Sequence, residues 1–372
     1  MRISVAPDAP GSSGNMDAMA FTSLSPEIEA FLDEYTSDLQ DPDAQLAREI
    51  VMTAVKLAQE QVSRLDRKIV NASLKEMRYA FKVFSPYKGV RKVSIFGSAR
   101  TAKGDPAYTT TREFSREIAS RGWMVITGAG PGIMEAGHEG AGGKLSFGAN
   151  IRLPFEAKPN PVIANDSKLI NFKYFFTRKL TFIKEADAFV LLPGGFGTMD
   201  EAFELLTLVQ TGKTDLKPIV MLDAPGGTYW ANWEKYIRQQ LLAPGYVSED
   251  DLVLYRQTDD INAAVEEIED FFRVYHSQRV VGERVFLRLN VMPTEDVLQK
   301  LSEEFEDVLR GPIARVSASR SEIRDNDVPH LPRIALKFDR QHIGRLRQLI
   351  DRLNEMVPTD TVPSAKGEPE QL

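Results

Sequence analysis

The chain has 372 residues and is 42% hydrophobic, enough to bury a sizeable core in one large or two smaller domains. Its net charge of -7 gives no overall attraction to nucleic acid or to a membrane surface. The lack of cysteine excludes disulfides, zinc–thiolate sites and a thiol nucleophile, and His138, His276, His330 and His342 are too scattered to read as metal ligands. No apolar run approaches the roughly 18 residues of a membrane span, and no apolar leader follows Arg2, so a soluble cytoplasmic protein is expected.

Residues 1–23 are small and polar and read as a disordered tail. Ser25-Pro26 and Asp41-Pro42 are helix starts, with a capping side chain followed by proline in the first turn. Leu46, Ile50, Ala54, Leu57, Leu65 and Ile69 then recur at largely three- or four-residue spacing. Residues 24–85 therefore form a helical extension whose apolar stripe packs on the core or on a sister subunit.

The main domain, residues 86–280, alternates strands and helices. Strands are expected at Val90–Phe96, Trp123–Thr127, Ser146–Leu153, Ala186–Leu192, Pro218–Leu222 and, briefly, Leu252–Tyr255. Helices are expected at Tyr108–Arg121, after Gly132, at Phe172–Glu185, Ala202–Val209, Thr228–Leu242 and Asp259–Tyr275. That alternation predicts an α/β fold with a Rossmann-like, doubly wound parallel sheet. In such a sheet, ligands bind beyond the C-terminal ends of the strands. The small-residue turns after Phe96, Thr127 and Leu192 would all open on that edge.

From Arg284 the pattern restarts in β-α-β-β-α order, which predicts a small α+β, loosely ferredoxin-like domain over 281–357. Between Arg310 and Arg352 lie ten Lys or Arg against five Asp or Glu. Such a stripe could hold an anionic effector or nucleic acid, or simply form solvated faces. Residues 358–372 read as a second polar tail.

The most informative stretch is Pro193-Gly194-Gly195-Phe196-Gly197-Thr198-Met199-Asp200-Glu201, where an apolar strand turns into a helix. Glycines leave the backbone bare, and the helix start adds unpaired N–H groups and the positive end of its dipole. Thr198 adds a hydroxyl. These are the components of a phosphate site, although a purely structural glycine turn has the same shape. Glu201, one turn into the helix, repels an anion and so hints at chemistry rather than binding alone. Arg178, 15 residues before Pro193, could clamp a phosphate or carboxylate or form an ordinary ion pair.

Other motifs fail. The Gly128 segment has Ile133 where a dinucleotide fingerprint needs glycine, and Gly143-Lys144 lacks the rest of a P-loop. No lysine stands in a motif that suggests a pyridoxal-phosphate Schiff base.

Taken together, Thr177-Arg178-Lys179, the Ala186–Leu192 strand and PGGFGTMDE resemble, in order and spacing, the LOG (LONELY GUY) phosphoribohydrolase family, also labelled lysine decarboxylase-like. Gly97-Ser98-Ala99-Arg100 and Thr127-Gly128-Ala129-Gly130-Pro131-Gly132-Ile133-Met134-Glu135-Ala136 resemble its two earlier loops, so the likeness covers about residues 90–275. Pro154-Phe155-Glu156 and Asn160-Pro161 look like the loop of longer bacterial members.

The resemblance implies hydrolysis of the N-glycosidic bond of a nucleoside 5′-monophosphate, either a cytokinin riboside monophosphate or an ordinary nucleotide such as AMP. It implies Arg178 and Glu201 as the catalytic pair, and Gly194, Gly195, Gly197 and Thr198 as phosphate ligands. Glu156, Lys179 and Thr207 fall where the family contacts substrate, and Gly97, Ser98, Arg100, Gly128, Gly130, Gly132 and Glu135, in the two earlier loops, are further expected substrate- or phosphate-binding residues. It further implies a homodimer or larger homo-oligomer with its site near the subunit interface, no metal and no cofactor. The alternative is a non-catalytic nucleotide-binding or carrier protein on the same scaffold. Nucleic acid and membrane are not expected partners.

Overall fold

The computed structural model describes residues 26–36, 41–152 and 158–358. The chain divides into two units, residues 1–71 and 72–372. The expectations for the two tails and for Glu156 lie outside the described residues.

The first unit contains α1 (Pro26–Thr36), α2 (Asp41–Gln59) and the start of α3 (Arg64–Phe84). Ser63 and Asp66 cap α3 reciprocally, each accepting a bond from the other's amide. Of the predicted apolar stripe, Leu46, Ile50 and Leu65 are exposed, while Leu57 and Ile69 are half-buried.

In the second unit, seven parallel strands form one sheet: β1 (Lys92–Phe96), β2 (Met124–Thr127), β3 (Ser146–Ile151), β4 (Leu169–Phe172), β5 (Ala188–Leu191), β6 (Ile219–Leu222) and β7 (Arg256–Thr258). Their order is β4-β3-β2-β1-β5-β6-β7, with Val93 in register with Val125 on one side and Ala188 on the other. β1, β2, β5 and β6 are buried throughout. Burial on both faces is the reason these strands read as unbroken apolar runs. The helices are α4 (Pro106–Ser120), α5 (Ile133–Ala141), α6 (Phe175–Glu185), α7 (Phe196–Gln210), α8 (Tyr229–Ile237), α9 (Glu249–Leu252) and α10 (Ile261–Val274). The strand order reverses between β1 and β5, so the crevice of this doubly wound sheet opens where those two strands end.

A second, antiparallel sheet follows, in the order β10-β11-β9-β8. It comprises β8 (Tyr275–Val281), β9 (Arg284–Leu289), β10 (Ala314–Val316) and β11 (Arg333–Lys337), with α11 (Glu295–Glu304), α12 (Arg320–Arg324) and α13 (Ile343–Met356). One apolar cluster runs from Phe189 and Met221 of the parallel sheet to Leu287 and Leu353 of this part.

Three strands differ from the sequence reading. β4 alternates buried Ile170 and Phe172 with exposed Asn171, a half-buried edge that the sequence merges into the next helix. The strand expected at Leu252–Tyr255 lies instead at Arg256–Thr258, whose polar residues suit an edge and carry no apolar signal. β8 begins at Tyr275, the last residue of the expected closing helix, and adds a strand ahead of the expected β-α-β-β-α pattern.

The basic stripe is largely taken up by internal ion pairs. Arg315 meets Glu295 at 2.9 Å, Arg345 meets Asp307 at 2.9 Å, and Arg352 meets Glu304 at 3.1 Å. Buried Arg347 is shared by Glu267 and Asp351, and buried Arg288 and Arg333 converge on Glu322. These arginines fasten helices and strands to one another rather than presenting a bare cationic face. Among the described residues, no helix is long and apolar enough to cross a membrane.

Candidate active site

Three turns meet at the strand-order reversal, and backbone contacts join them. The Ser98 amide, just after β1, donates to the Pro193 carbonyl just after β5, and the Ile133 amide at the start of α5 donates to the Ser98 carbonyl, both at 3.1 Å. Gly132 has φ +66°, and a Cβ there would lie 2.4 Å from the Ser98 oxygen. Only glycine allows that approach in that conformation. Gly132→Ala is therefore expected to lower stability by about 2–3 kcal/mol through combined strain and collision, measured by denaturant unfolding. An unchanged midpoint would mean that the two turns do not pack this closely.

The turn after β2 is held from below. Ala129 adopts φ +63°, and its carbonyl accepts from the Asn160 amide at 2.8 Å and from Asn160 Nδ2 at 3.0 Å. Asn160 also bonds the Gly130 carbonyl and meets His138, which in turn reaches Thr127 Oγ1 and the Phe147 carbonyl. Burial lowers the His138 pKa, favouring the neutral ring, so this histidine acts as a strut.

After β5, a Cβ on Gly194 would fall 2.0 Å from Thr198 Oγ1, so the threonine side chain occupies the space a larger residue would need. The Gly194 carbonyl accepts from the Tyr229 hydroxyl at 2.6 Å. Gly195 and Gly197 face open space, and Gly195 is the N-cap of α7 without any side-chain cap. The start of a 15-residue helix is thus bordered by bare backbone.

Arg178, in the first turn of α6, and Glu201, in the second turn of α7, approach to 3.6 Å, with side chains 14% and 8% exposed. Arg178 Nη1 lies 3.8 Å from where a Cβ on Gly128 would stand, so the guanidinium rests against the bare second turn. The rings of Phe175 and Phe182 flank it at 5.1 and 5.7 Å. Burial pushes the Glu201 pKa up to about 7, with Arg178 and then Lys179 opposing the rise. A carboxylate titrating near neutrality can exchange protons with a substrate or with water.

The structure thus brings Gly97, Ser98, Gly128, Gly130, Gly132, Arg178, Gly194, Gly195, Gly197, Thr198 and Glu201 to one edge of the sheet. The remaining candidates stand differently. Lys179 points at α7, where its ammonium meets Asp200 at 2.8 Å and also Glu204. Burial alone would lower its pKa, but those hydrogen bonds leave it raised. Glu135 pairs with Lys103 at 2.9 Å, and Arg100 is exposed on the first turn. Thr207 lies about 9 Å further along α7 than Glu201, bonded to the Phe203 carbonyl. Three residues that sequence reasoning did not place in the site, Tyr229, Asn160 and His138, hold the loops that form it. Asn160 carries a signal in the likeness of Asn160-Pro161 to the loop of longer family members, whereas Tyr229 and His138 offer only polarity next to apolar runs.

This geometry defines a Rossmann-like α/β protein with an acid–cation pair at the switch point of its sheet. A family model described as "Possible lysine decarboxylase" matches residues 130–268. The cytokinin riboside 5'-monophosphate phosphoribohydrolase of Mycobacterium tuberculosis (strain ATCC 25618 / H37Rv) is 31% identical over 171 residues, covering 42% of this chain and 86% of that protein. The cytokinin riboside 5'-monophosphate phosphoribohydrolase LOG of Oryza sativa subsp. japonica is 27% identical over 166 residues. That match covers 43% of this chain and 65% of the rice protein, just under two thirds of its length. Among solved structures, the molybdenum cofactor carrier protein of Chlamydomonas reinhardtii is 22% identical at a TM-score of 0.34, covering 48% of this chain and 96% of that one. On the mycobacterial match, the chain belongs to the LOG family.

The lysine next to the pair does not supply the free amine that a pyridoxal-phosphate decarboxylase would use. Pyridoxal-phosphate chemistry needs an amine free to form a Schiff base. Lys179, beside the pair, is instead held as an ammonium by two carboxylates.

Proposed function

We propose that the chain is a nucleoside 5′-monophosphate phosphoribohydrolase, releasing free base and ribose 5-phosphate. The observation that carries this reading is Glu201, buried 3.6 Å from Arg178 on the helix whose glycine start is bare, with a pKa raised to about 7. A protein that only held phosphate would bind it better without that carboxylate. The names of the mycobacterial and rice relatives support the same reaction class.

In this reading the amides around Gly195–Gly197 and the Thr198 hydroxyl hold the 5′-phosphate, and that remote binding orients the sugar. The C1′–N bond breaks with positive charge developing on the sugar, which the Glu201 carboxylate stabilises. Water adds to C1′ and its proton passes to Glu201, which hands it on to the nitrogen of the departing base, so the base leaves neutral and the carboxylate is restored. Arg178 favours the ionised form of Glu201 against the effect of burial and fixes the nucleotide. The family likeness also supports a homodimer or larger assembly. Phe176, Leu180 and Phe203, exposed beside the pair on α6 and α7, are apolar side chains that a second copy would cover.

Because the ionised form of Glu201 does this work, kcat should rise with pH through about 7 and level off above it. A kcat profile from pH 5 to 9 at saturating AMP checks this, and a rate falling through pH 7 would give Glu201 the opposite role. The reading as a whole is tested by incubating the protein with AMP, GMP, CMP, UMP, isopentenyl-AMP and adenosine. Base is expected from one or more nucleotides and not from adenosine. Release from adenosine at an equal rate would remove the phosphate cradle from the account.

A further inference from the structure

The helix carrying Arg178 has no cap of its own. α6 starts at Phe175, and its N-cap residue, Tyr174, makes no side-chain cap bond. The residue just before that N-cap, Lys173, is instead tied to a carboxylate 97 residues earlier in the chain. Glu76, in the second half of α3, accepts from the Lys173 amide through Oε1 at 2.9 Å and from the Thr177 hydroxyl through Oε2 at 2.6 Å. Thr177 is fully buried and adjoins Arg178. A carboxylate at this end of a helix also meets the favourable end of its dipole. The carboxylate is firmly seated, because Ala80 and Phe84, one and two turns further along α3, are buried and Phe84 stacks on Phe147 with ring centroids 4.2 Å apart.

We propose that Glu76 is a positioning residue, tying the start of α6 to α3 through Lys173 and Thr177 and thereby fixing Arg178 against Glu201 and Gly128. The inference rests on Arg178 and Glu201 being the working pair. Arg178 lies in the first turn of α6, the part that frays when the helix start is released. The charged groups facing Glu201 are Arg178 and Lys179 from α6, and Asp200 and Glu204 from its own helix. Both cations therefore sit on the helix that Glu76 holds, and both anions on the other. Loosening α6 withdraws the cations and leaves the anions, so Glu201 should hold its proton to higher pH.

The test compares the full-length wild type with Glu76→Ala and Glu76→Gln. Hydrogen exchange is read over residues 173–182, alongside the pH profile of AMP hydrolysis. Glu76→Ala is expected to speed exchange in that segment about five- to tenfold. It should also move the rising limb of the profile upward by half a pH unit or more. Glu76→Gln keeps an acceptor oxygen without the charge and should fall between the two. Unchanged exchange would overturn the anchoring role. Faster exchange with an unmoved limb would reduce Glu76 to a structural anchor and overturn its link to Arg178. Should the wild type release no base, the hydrolase reading fails and AMP affinity takes the place of the profile. A severalfold loss in Glu76→Ala then supports the inference, and equal affinity, or no AMP binding by the wild type, overturns it.

Discussion

Replacing Glu201 by glutamine should lower the rate of base release about a thousandfold while AMP still binds. The change preserves shape and removes only the ability to take a proton and to present negative charge to the sugar, and positioned acid–base groups contribute about 10²–10⁴ in rate. Glutamine also removes a repulsion from the phosphate, so AMP affinity should hold or increase. The same variant has a stability signature. An ordinary glutamate titrates near 4.5, whereas Glu201 does so near 7 because burial disfavours its charge. The folded state therefore prefers the protonated form. It incurs no penalty below about pH 4.5, an increasing one between 4.5 and 7, and the full penalty above 7. That gap corresponds to about 3 kcal/mol at most. Glu201→Gln should thus be more stable than the wild type at pH 8 by up to that amount and equal to it near pH 4.5. Urea unfolding at both values checks the sign, and a variant weaker than the wild type at pH 8 would show that burial does not strain this carboxyl.

Arg178→Ala should have the second largest effect, a fall in kcat/KM of about 10²–10³, in line with removing one partner of a buried pair. Its mark is how the loss depends on pH. Without the guanidinium, Glu201 loses the largest influence opposing its protonation, so the rising limb moves above pH 7 and part of the lost rate returns by pH 9. Glu201→Gln has no such recovery, because nothing remains to ionise. Arg178→Lys should rescue little, since a single ammonium cannot both reach Glu201 and lie flat against Gly128. A uniform loss at all pH values would assign Arg178 to substrate binding alone.

The parts of the fold and site that were legible in the sequence share one physical property: each is a local pattern. Buried parallel strands are unbroken apolar runs, and the glycine turns and helix starts that follow them are contiguous, so β1, β2, β5, β6 and the three turns could be read directly. Glu201 could be read as well, because it lies one turn beyond the glycines. Arg178 needed the spacing of the whole motif, since only the parallel return of β5 beside β1 brings α6 and α7 together. Edge strands were harder. β7 is Arg-Gln-Thr, and β4 alternates around exposed Asn171, so neither offers an apolar run. Long-range single contacts were not legible at all. Glu76 to Thr177, Asn160 to Ala129 and Tyr229 to Gly194 each join residues 31 to 101 positions apart through one or two hydrogen bonds. No residue pattern marks such pairs before the chain is folded. Lys179, which the family resemblance sets among the substrate contacts, has carboxylate partners on α7 that its sequence neighbours do not reveal.

The central claim is that the Arg178–Glu201 cleft breaks an N-glycosidic bond rather than merely holding a nucleotide. Its most direct test is a product balance on AMP, with adenine and ribose 5-phosphate quantified together for the wild type and Glu201→Gln under conditions where both bind AMP. The account predicts equimolar products from the wild type and about a thousandfold less from the variant. Bound AMP recovered intact from the wild type, or equal release by both proteins, would contradict it.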